Sequence, residues 1–241
     1  MGTFWVTGTA WAGPSPEPGS DNNTEAVIDR YMAATQQQQD ALRGVSMPVE
    51  IDASVPHLKK SGTLNALRSI SKLGKITYIP RAFFGDKSVE KEVIARYLSA
   101  EVQQAQDGPD ISISPKNYKF KYKGMEDMDG RQVYEFHLSP RHKKVGLFKG
   151  ELWIDAETFL PVRESGRFVK NPSIFFKKVE FTRTYDVSSG VAVPQRMESK
   201  VDTRLIGPVN LAISYGHVEK QTETATGDAP QQATLTGAGA Q

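Results

Sequence analysis

Few side chains of this chain have the type and spacing for covalent chemistry. The four histidines, His57, His137, His142 and His217, are scattered, with no HExxH pair and no carboxylates at metal-ligand spacing. Glu126-Asp127-Met128-Asp129-Gly130 has the acidic rhythm of a calcium loop but lacks the distal ligands; Asp129-Gly130 is instead the signature of a tight hairpin turn. No nucleophile triad and no phosphate-cradling loop is in view. The expectation is therefore a protein that is not an enzyme, uses no cofactor and no metal, and works by binding. Arg141-His142-Lys143-Lys144 follows Pro140 and reads as a charged hairpin tip that could also meet an anionic head group.

Composition narrows what could be bound. Thirty basic and 28 acidic residues leave a net charge of +2, with both signs along the whole length, so nothing calls for a nucleic-acid partner. With no cysteine, neither a disulfide framework nor a thiolate metal site is available. No stretch approaches the roughly 20 apolar residues that a membrane-crossing helix needs.

Binding residues need elements to hold them, and the segment from about 45 to 218 reads as one long antiparallel meander. In Tyr118-Lys119-Phe120-Lys121-Tyr122-Lys123, rings and ammonium groups fall on opposite faces. Met47, Val49, Ile51, Ala53 and Val55 alternate with polar or turn-forming residues in the same way. Further strands are expected over 62–71, 76–84, 116–125, 131–138, 145–155, 159–169, 174–187, 191–205 and 209–218, about ten in all. Two helices interrupt them. One starts at Asn22, carries the stripe Val27, Ile28, Tyr31, Met32 and Thr35, and should fade in Gln36 to Gln39 and end near Gly44. The other lies between Asp86 and Gln106, where Val89, Val93, Ile94, Tyr97, Leu98 and Val102 recur at helical spacing and Glu92 and Arg96 form an i,i+4 pair.

This is a mainly β chain with two helices and no βαβ alternation, and so many two-faced strands must curl to hide their apolar side. The expected fold is a curved antiparallel sheet or incomplete β-barrel closed by helices. Residues 22–220 form its single domain. Residues 1–21 read as a leader or export-signal remnant and linker, and residues 221–241 as a disordered tail poor in large apolar residues.

Gly150-Glu151-Leu152-Trp153-Ile154-Asp155, followed by Phe159-Leu160-Pro161-Val162-Arg163 and set behind an amphipathic helix and a run of hairpins, resembles the periplasmic outer-membrane lipoprotein-sorting proteins, the LolA-like group. The resemblance implies a soluble periplasmic carrier whose apolar concavity holds the acyl chains of a lipoprotein, or another lipid, between a membrane-protein donor and acceptor. It implies a signal for export and a chaperone-like role towards the outer membrane. It also implies a strand-end arginine that fastens a lid, for which Pro80-Arg81-Ala82-Phe83-Phe84 is the distant counterpart, and it makes the helix over 88–106 an insertion. The alternative on the same fold is a cell-envelope sensor or adaptor that binds a protein partner.

The large rings best placed to line a concave face are Phe120, Tyr122, Tyr134, Phe136, Trp153, Phe168, Phe181 and Tyr185, with Tyr31 and Met32 of the first helix above them. Any one of them, taken singly, reads first as ordinary core; as a set, some should touch a ligand. A carrier needs more than rings: moving some ~15 methylenes into water costs about 12 kcal/mol, so the interior must offer an apolar hollow of matching size beneath one of the helices.

Overall fold

The alternation read from the sequence becomes an alternation of burial. Met47, Val49, Ile51, Ala53 and Val55 are buried while Glu50 and Asp52 are exposed on the same strand. The computed structural model describes residues 21–107, 110–171, 176–187, 190–204 and 206–221. The expected leader and linker before residue 21 and the expected tail beyond residue 221 lie outside the described residues, as do Gly108-Pro109, Ser188-Ser189 and the first two residues of the strand expected over 174–187.

Helix α1 (Asp21–Ala41) leads into β1 (Val45–Val55), β2 (Lys60–Ile70) and β3 (Ile76–Gly85). A second helical stretch follows as α2 (Lys87–Val89), a π turn (Glu90–Ile94) and α3 (Ala95–Asp107). The remaining strands are β4 (Tyr118–Met128), β5 (Arg131–Pro140), β6 (Phe148–Asp155), β7 (Pro161–Phe168), β8 (Phe176–Asp186), β9 (Val193–Thr203), β10 (Pro208–Tyr215) and the two-residue β11 (Glu219–Lys220). All pair antiparallel in one sheet, in the order β3-β2-β1-β10-β9-β8-β7-β6-β5-β4, with β11 beside the start of β1. β3 and β4 do not pair with each other, so the sheet is open.

Bulges within the β2–β3, β4–β5, β6–β7 and β8–β9 pairings increase the twist and coil the sheet. At the β6–β7 crossing, Gly150 faces Gly166 and the backbones approach so closely that a side chain at Gly150 would overlap the Ser165 carbonyl. The hairpin expected at Asp129-Gly130 is present: both residues have positive φ, 56° and 80°, and Asp127 Oδ1 accepts from the Gly130 amide at 2.9 Å. The acidic run is thus the end of β4, through Met128, and the turn Asp129-Gly130.

Two helices share the concave face. α1 lays Val27, Ile28 and Tyr31 onto Phe136, Leu138, Leu152, Ile154 and Phe181 of the β5–β8 half. It does not fade at the glutamine run but continues to Ala41, and Gln38 Nε2 donates to the Ala192 carbonyl at 2.9 Å. That tertiary bond supplies the polar partner an isolated glutamine tract lacks. The second helix covers the other half, with Val89 and Ile94 buried against Met47, Ile51, Leu64 and Ile213. Its start is capped by Asp86, whose side chain accepts from the Ser88 amide at 2.8 Å and pairs with Lys60 at 3.2 Å. No helix among the described residues is long and apolar enough to cross a membrane.

Candidate functional site: an apolar cavity beneath the second helix

The two helices do not fill the concave face between them. A cavity of ≈ 300 Å³ remains under α3, walled by Val93, Tyr97 and Ala100 of the helical stretch and by β7–β10. Period-2 alternation supplies the sheet side: Val179 and Phe181 on β8, Met197, Val201 and Thr203 on β9, and Val209 and Leu211 on β10 all point inward. Ile206 and Phe176 close one end. The volume is at the lower bound of natural ligand pockets and roughly twice the space that holds one benzene ring.

Polar groups gather at the opposite end and satisfy one another. On the α3 side, Tyr78 Oη donates to Glu101 Oε2 at 2.7 Å, while the buried Arg68 lies 3.4 Å from Glu101 Oε1 and donates to Tyr78 Oη at 3.1 Å. On the sheet side, Tyr185 Oη donates to Glu164 Oε1 at 2.9 Å and Arg183 Nη1 lies 3.4 Å from Glu164 Oε2. The Met197 sulfur lies between the two sets, 3.5 Å from Tyr97 Oη and 3.8 Å from Arg183 Nη2. Burial, then the Glu101 carboxylate, pushes the Tyr97 and Tyr78 phenols well above their ordinary range; the same causes raise Tyr215 to about 12. Burial, then Glu164, does the same for Tyr185. Every phenol here is therefore a neutral donor at physiological pH, and each carboxylate is matched by one guanidinium. The polar end is charged in its parts and neutral as a whole.

Only two of the ten residues singled out from the sequence stand in the cavity wall. Phe168 and Phe181, stacked with centroids 5.3 Å apart, form its side towards α1. Tyr31 and Phe136 are fully packed under α1, with Met32, Phe120, Tyr122 and Tyr134 partly buried around them; Phe120 and Tyr122 lie 6.1 and 5.5 Å from the Phe136 ring. Trp153 packs with Val133 and Leu160 in a separate cluster, its ring 5.1 Å beneath the Arg163 guanidinium. Tyr185 packs against that same cluster and bonds Glu164 at the polar end. Sequence reasoning missed Val179, Met197, Val201, Val209 and Leu211. Their strand alternation was the available signal, but small aliphatic residues carry no mark that separates a hollow from a filled core.

The arginine set by the structure against the helix is Arg68, not Arg81. Arg81 is exposed at the β-bulge opposite Asn65 and Ala66, whereas Arg68 points inward in step with Leu64 and Ala66. A larger open groove of ≈ 710 Å³ lies on the wet side of the same strands, among Asp52, Thr63, Glu180, Glu198, Lys200 and Asn210. Its charges are largely spoken for: Thr63 bonds Asp52 at 2.6 Å, Lys178 pairs with Glu180 at 2.6 Å and Arg196 with Glu198 at 2.9 Å. Ala53, Phe181, Leu211 and Ala212 lie among these polar groups, and the groove is open to solvent. Among the described residues no three His, Asp or Glu side chains cluster to hold a metal ion.

No protein-family model matches the chain. No curated protein matches it by sequence. Solved structures similar to it include a DUF1329 family protein from Desulfovibrio piger, at 12% identity over 85% of this chain and 95% of that one, with a TM-score of 0.45. A LolA superfamily protein from Nitrosomonas europaea is similar at 13% identity over 86% and 94%, with a TM-score of 0.40. An outer membrane lipoprotein-sorting protein domain from Vibrio parahaemolyticus is similar at 13% identity over 81% and 94%, with a TM-score of 0.38.

Proposed function

We propose that this protein is a lipid carrier that holds an acyl chain in the cavity beneath α3, and that it works in the periplasm between membranes. The observation that carries the reading is the cavity itself, ≈ 300 Å³ of space walled by Val93, Tyr97, Val179, Phe181, Val201, Val209 and Leu211 under a helix. Protein interiors normally close apolar gaps, because each side chain lining one forfeits dispersion contacts. A hollow of this size left open is an expense that ligand binding would offset.

The covering helix suits loading and release. It is fastened at one end by the Asp86 cap and at the other by the Arg68–Glu101 and Tyr78–Glu101 contacts, with a π turn between them. π turns weaken the regular hydrogen-bond ladder and recur at functional sites. Val89 and Ile94 anchor the start of the stretch in the core, so the part suited to move as a cover is α3 beyond the π turn, whose far end is held by those polar contacts. Since a bilayer shelters hydrocarbon as well as this cavity does, extraction would need an energy-coupled donor or a downhill order of affinities.

A sensor or adaptor on the same fold would have its binding surface outside, with no reason to keep the interior open. Displacement of an environment-sensitive apolar dye tests the choice. Amphiphiles with acyl chains should displace the dye from the purified full chain at micromolar concentration. A protein that takes up neither dye nor lipid, while capturing one stoichiometric protein from envelope extract, is the adaptor.

A further inference from the structure

The sheet has two ends of unlike charge. We propose that its basic end is a docking surface for an anionic phospholipid membrane, and that docking seats the end of the cavity against that surface; the second half of this proposal rests on the carrier reading just given.

The net charge of +2 hides a separation along the strand direction. Strand register carries one row across the wet face through Asn210, Lys200, Glu180, Arg167 and Lys149. Lys119 of β4 lies at the same end, opposite Ser139, and Lys170 and Lys177 flank the β7–β8 connection there. The six cations of this set are exposed, and none of them forms an ion pair among the described residues. Nearby carboxylates are already taken: Glu180 by Lys178 at 2.6 Å, Asp110 by Lys144 at 3.0 Å and Asp86 by Lys60 at 3.2 Å, which leaves Asp202 against them. At the other end of β4–β7, the exposed charges of the two hairpin turns are Glu126, Asp127, Asp129 and Glu157.

The form of the array suits a lipid surface better than an acidic protein. From β4 to β9 the sheet spans five strand spacings, about 24 Å, and the free cations spread over that width are lysines except for Arg167. A lysine ammonium is a point charge on a flexible stem, without the fork that fixes one carboxylate in place. A broad spread of such charges answers the smeared negative potential of anionic head groups.

The cavity reaches the same end. Phe168 stands between Arg167 and Lys170, Phe176 precedes Lys177 and pairs with Thr203, and Ile206 follows shortly after; none of the three apolar side chains is fully buried. The matched polar groups, Arg68 with Glu101 and Arg183 with Glu164, lie further along the strands. With the lysines on the membrane, an acyl chain leaving the bilayer meets Phe168, Phe176 and Ile206 first and crosses little water.

Co-sedimentation of the full chain with vesicles tests this. Phosphatidylcholine vesicles containing about 30% phosphatidylglycerol should retain the protein at about 50 mM NaCl and hold it at least tenfold less tightly at about 300 mM, where screening is stronger. Pure phosphatidylcholine vesicles should not retain it. Lys149→Gln with Lys170→Gln should weaken retention roughly 25-fold, since each basic group near such a surface counts for about fivefold. Lys75→Gln with Lys220→Gln removes the same charge from the opposite end, where the β2–β3 turn and β11 lie beside the start of β1, and should change retention by less than about threefold. No retention on the anionic vesicles, retention that ignores salt, or equal loss in the two double variants overturns the docking proposal. Retention on a polyglutamate matrix with none on the anionic vesicles overturns it in favour of an acidic protein partner. The carrier reading is decided separately, by dye and lipid uptake in the unmodified chain: uptake without vesicle binding leaves it standing, and vesicle binding without uptake removes it.

Discussion

The Tyr78 hydroxyl donates to Glu101 Oε2 at 2.7 Å, so that edge strand β3, helix α3 and, through Arg68, strand β2 all meet on one carboxylate. This junction is where the helix over the cavity is tied to the sheet. Its members are 9% (Arg68) and 20% (Glu101) exposed, dry enough for the contacts to count.

Glu101→Gln should therefore loosen α3 and leave Arg68 without its counter-charge. The expected loss is about 2 kcal/mol in chemical denaturation, with faster amide exchange over 95–107 than over the β5–β7 strands. The double change Arg68→Met with Glu101→Leu should recover most of that stability, since it removes both charges together. An unchanged denaturation midpoint and exchange pattern in Glu101→Gln would show that the junction does not hold the helix.

The hollow can be filled without breaking the fold. Ala100 faces it from α3, so Ala100→Phe should stay within about 1 kcal/mol of the parent, because the added ring enters space instead of forcing packed neighbours apart. Dye uptake should fall at least tenfold. A loss of several kcal/mol would mean that the space is not available to a ring.

Alkaline titration reads the buried phenols. Burial, opposed by the hydrogen bond from the Phe148 amide, raises Tyr118 to about 12, and burial with Glu101 raises Tyr215 to about 12. A phenol whose pKa is higher in the folded state than its ordinary value near 10 stabilises the fold fully below pH ~10, and that contribution is lost as pH rises through the folded value. Tyrosinate absorbance should thus lag behind free tyrosine up to pH ~11 and then rise together with loss of β-sheet circular dichroism. A smooth ionisation of all eight tyrosines near pH ~10 in a still-folded protein would contradict the packing described.

Much of the fold was legible because strand alternation and turn chemistry are local. Met47 to Val55, the Asp129-Gly130 turn and the helix after Asp86 all stand where period and punctuation put them. Helix α1 ends at Ala41, close to the expected Gly44, but does not fade in the glutamine run, because Gln38 finds a partner 154 residues away at Ala192, which no local rule could supply. The site was less legible. Ring size was the criterion for candidate residues, but large rings also fill space: Phe136 and Tyr31 pack under α1, while the hollow sets four valines, Leu211, Ile206, Ala100 and Met197 beside Phe168, Phe176, Phe181 and Tyr97. Arg68 carried a readable signal, a charged residue in the inward phase between Leu64, Ala66 and Ile70, yet its meaning depended on Glu101 lying across from it. Arg81 fell outside because the bulge at that point turns it to solvent.

Photolabelling with a single-chain lipid that carries a diazirine near the end of its tail tests the central claim most directly, because it reports where hydrocarbon sits. The account predicts one label per chain, mapped by mass spectrometry to peptides containing α3 and β8–β10, at residues such as Tyr97, Val179, Met197 and Leu211, and lost in Ala100→Phe. Labels confined to the wet face around Asp52, Glu198 and Lys200, or labelling unaffected by Ala100→Phe, would contradict it.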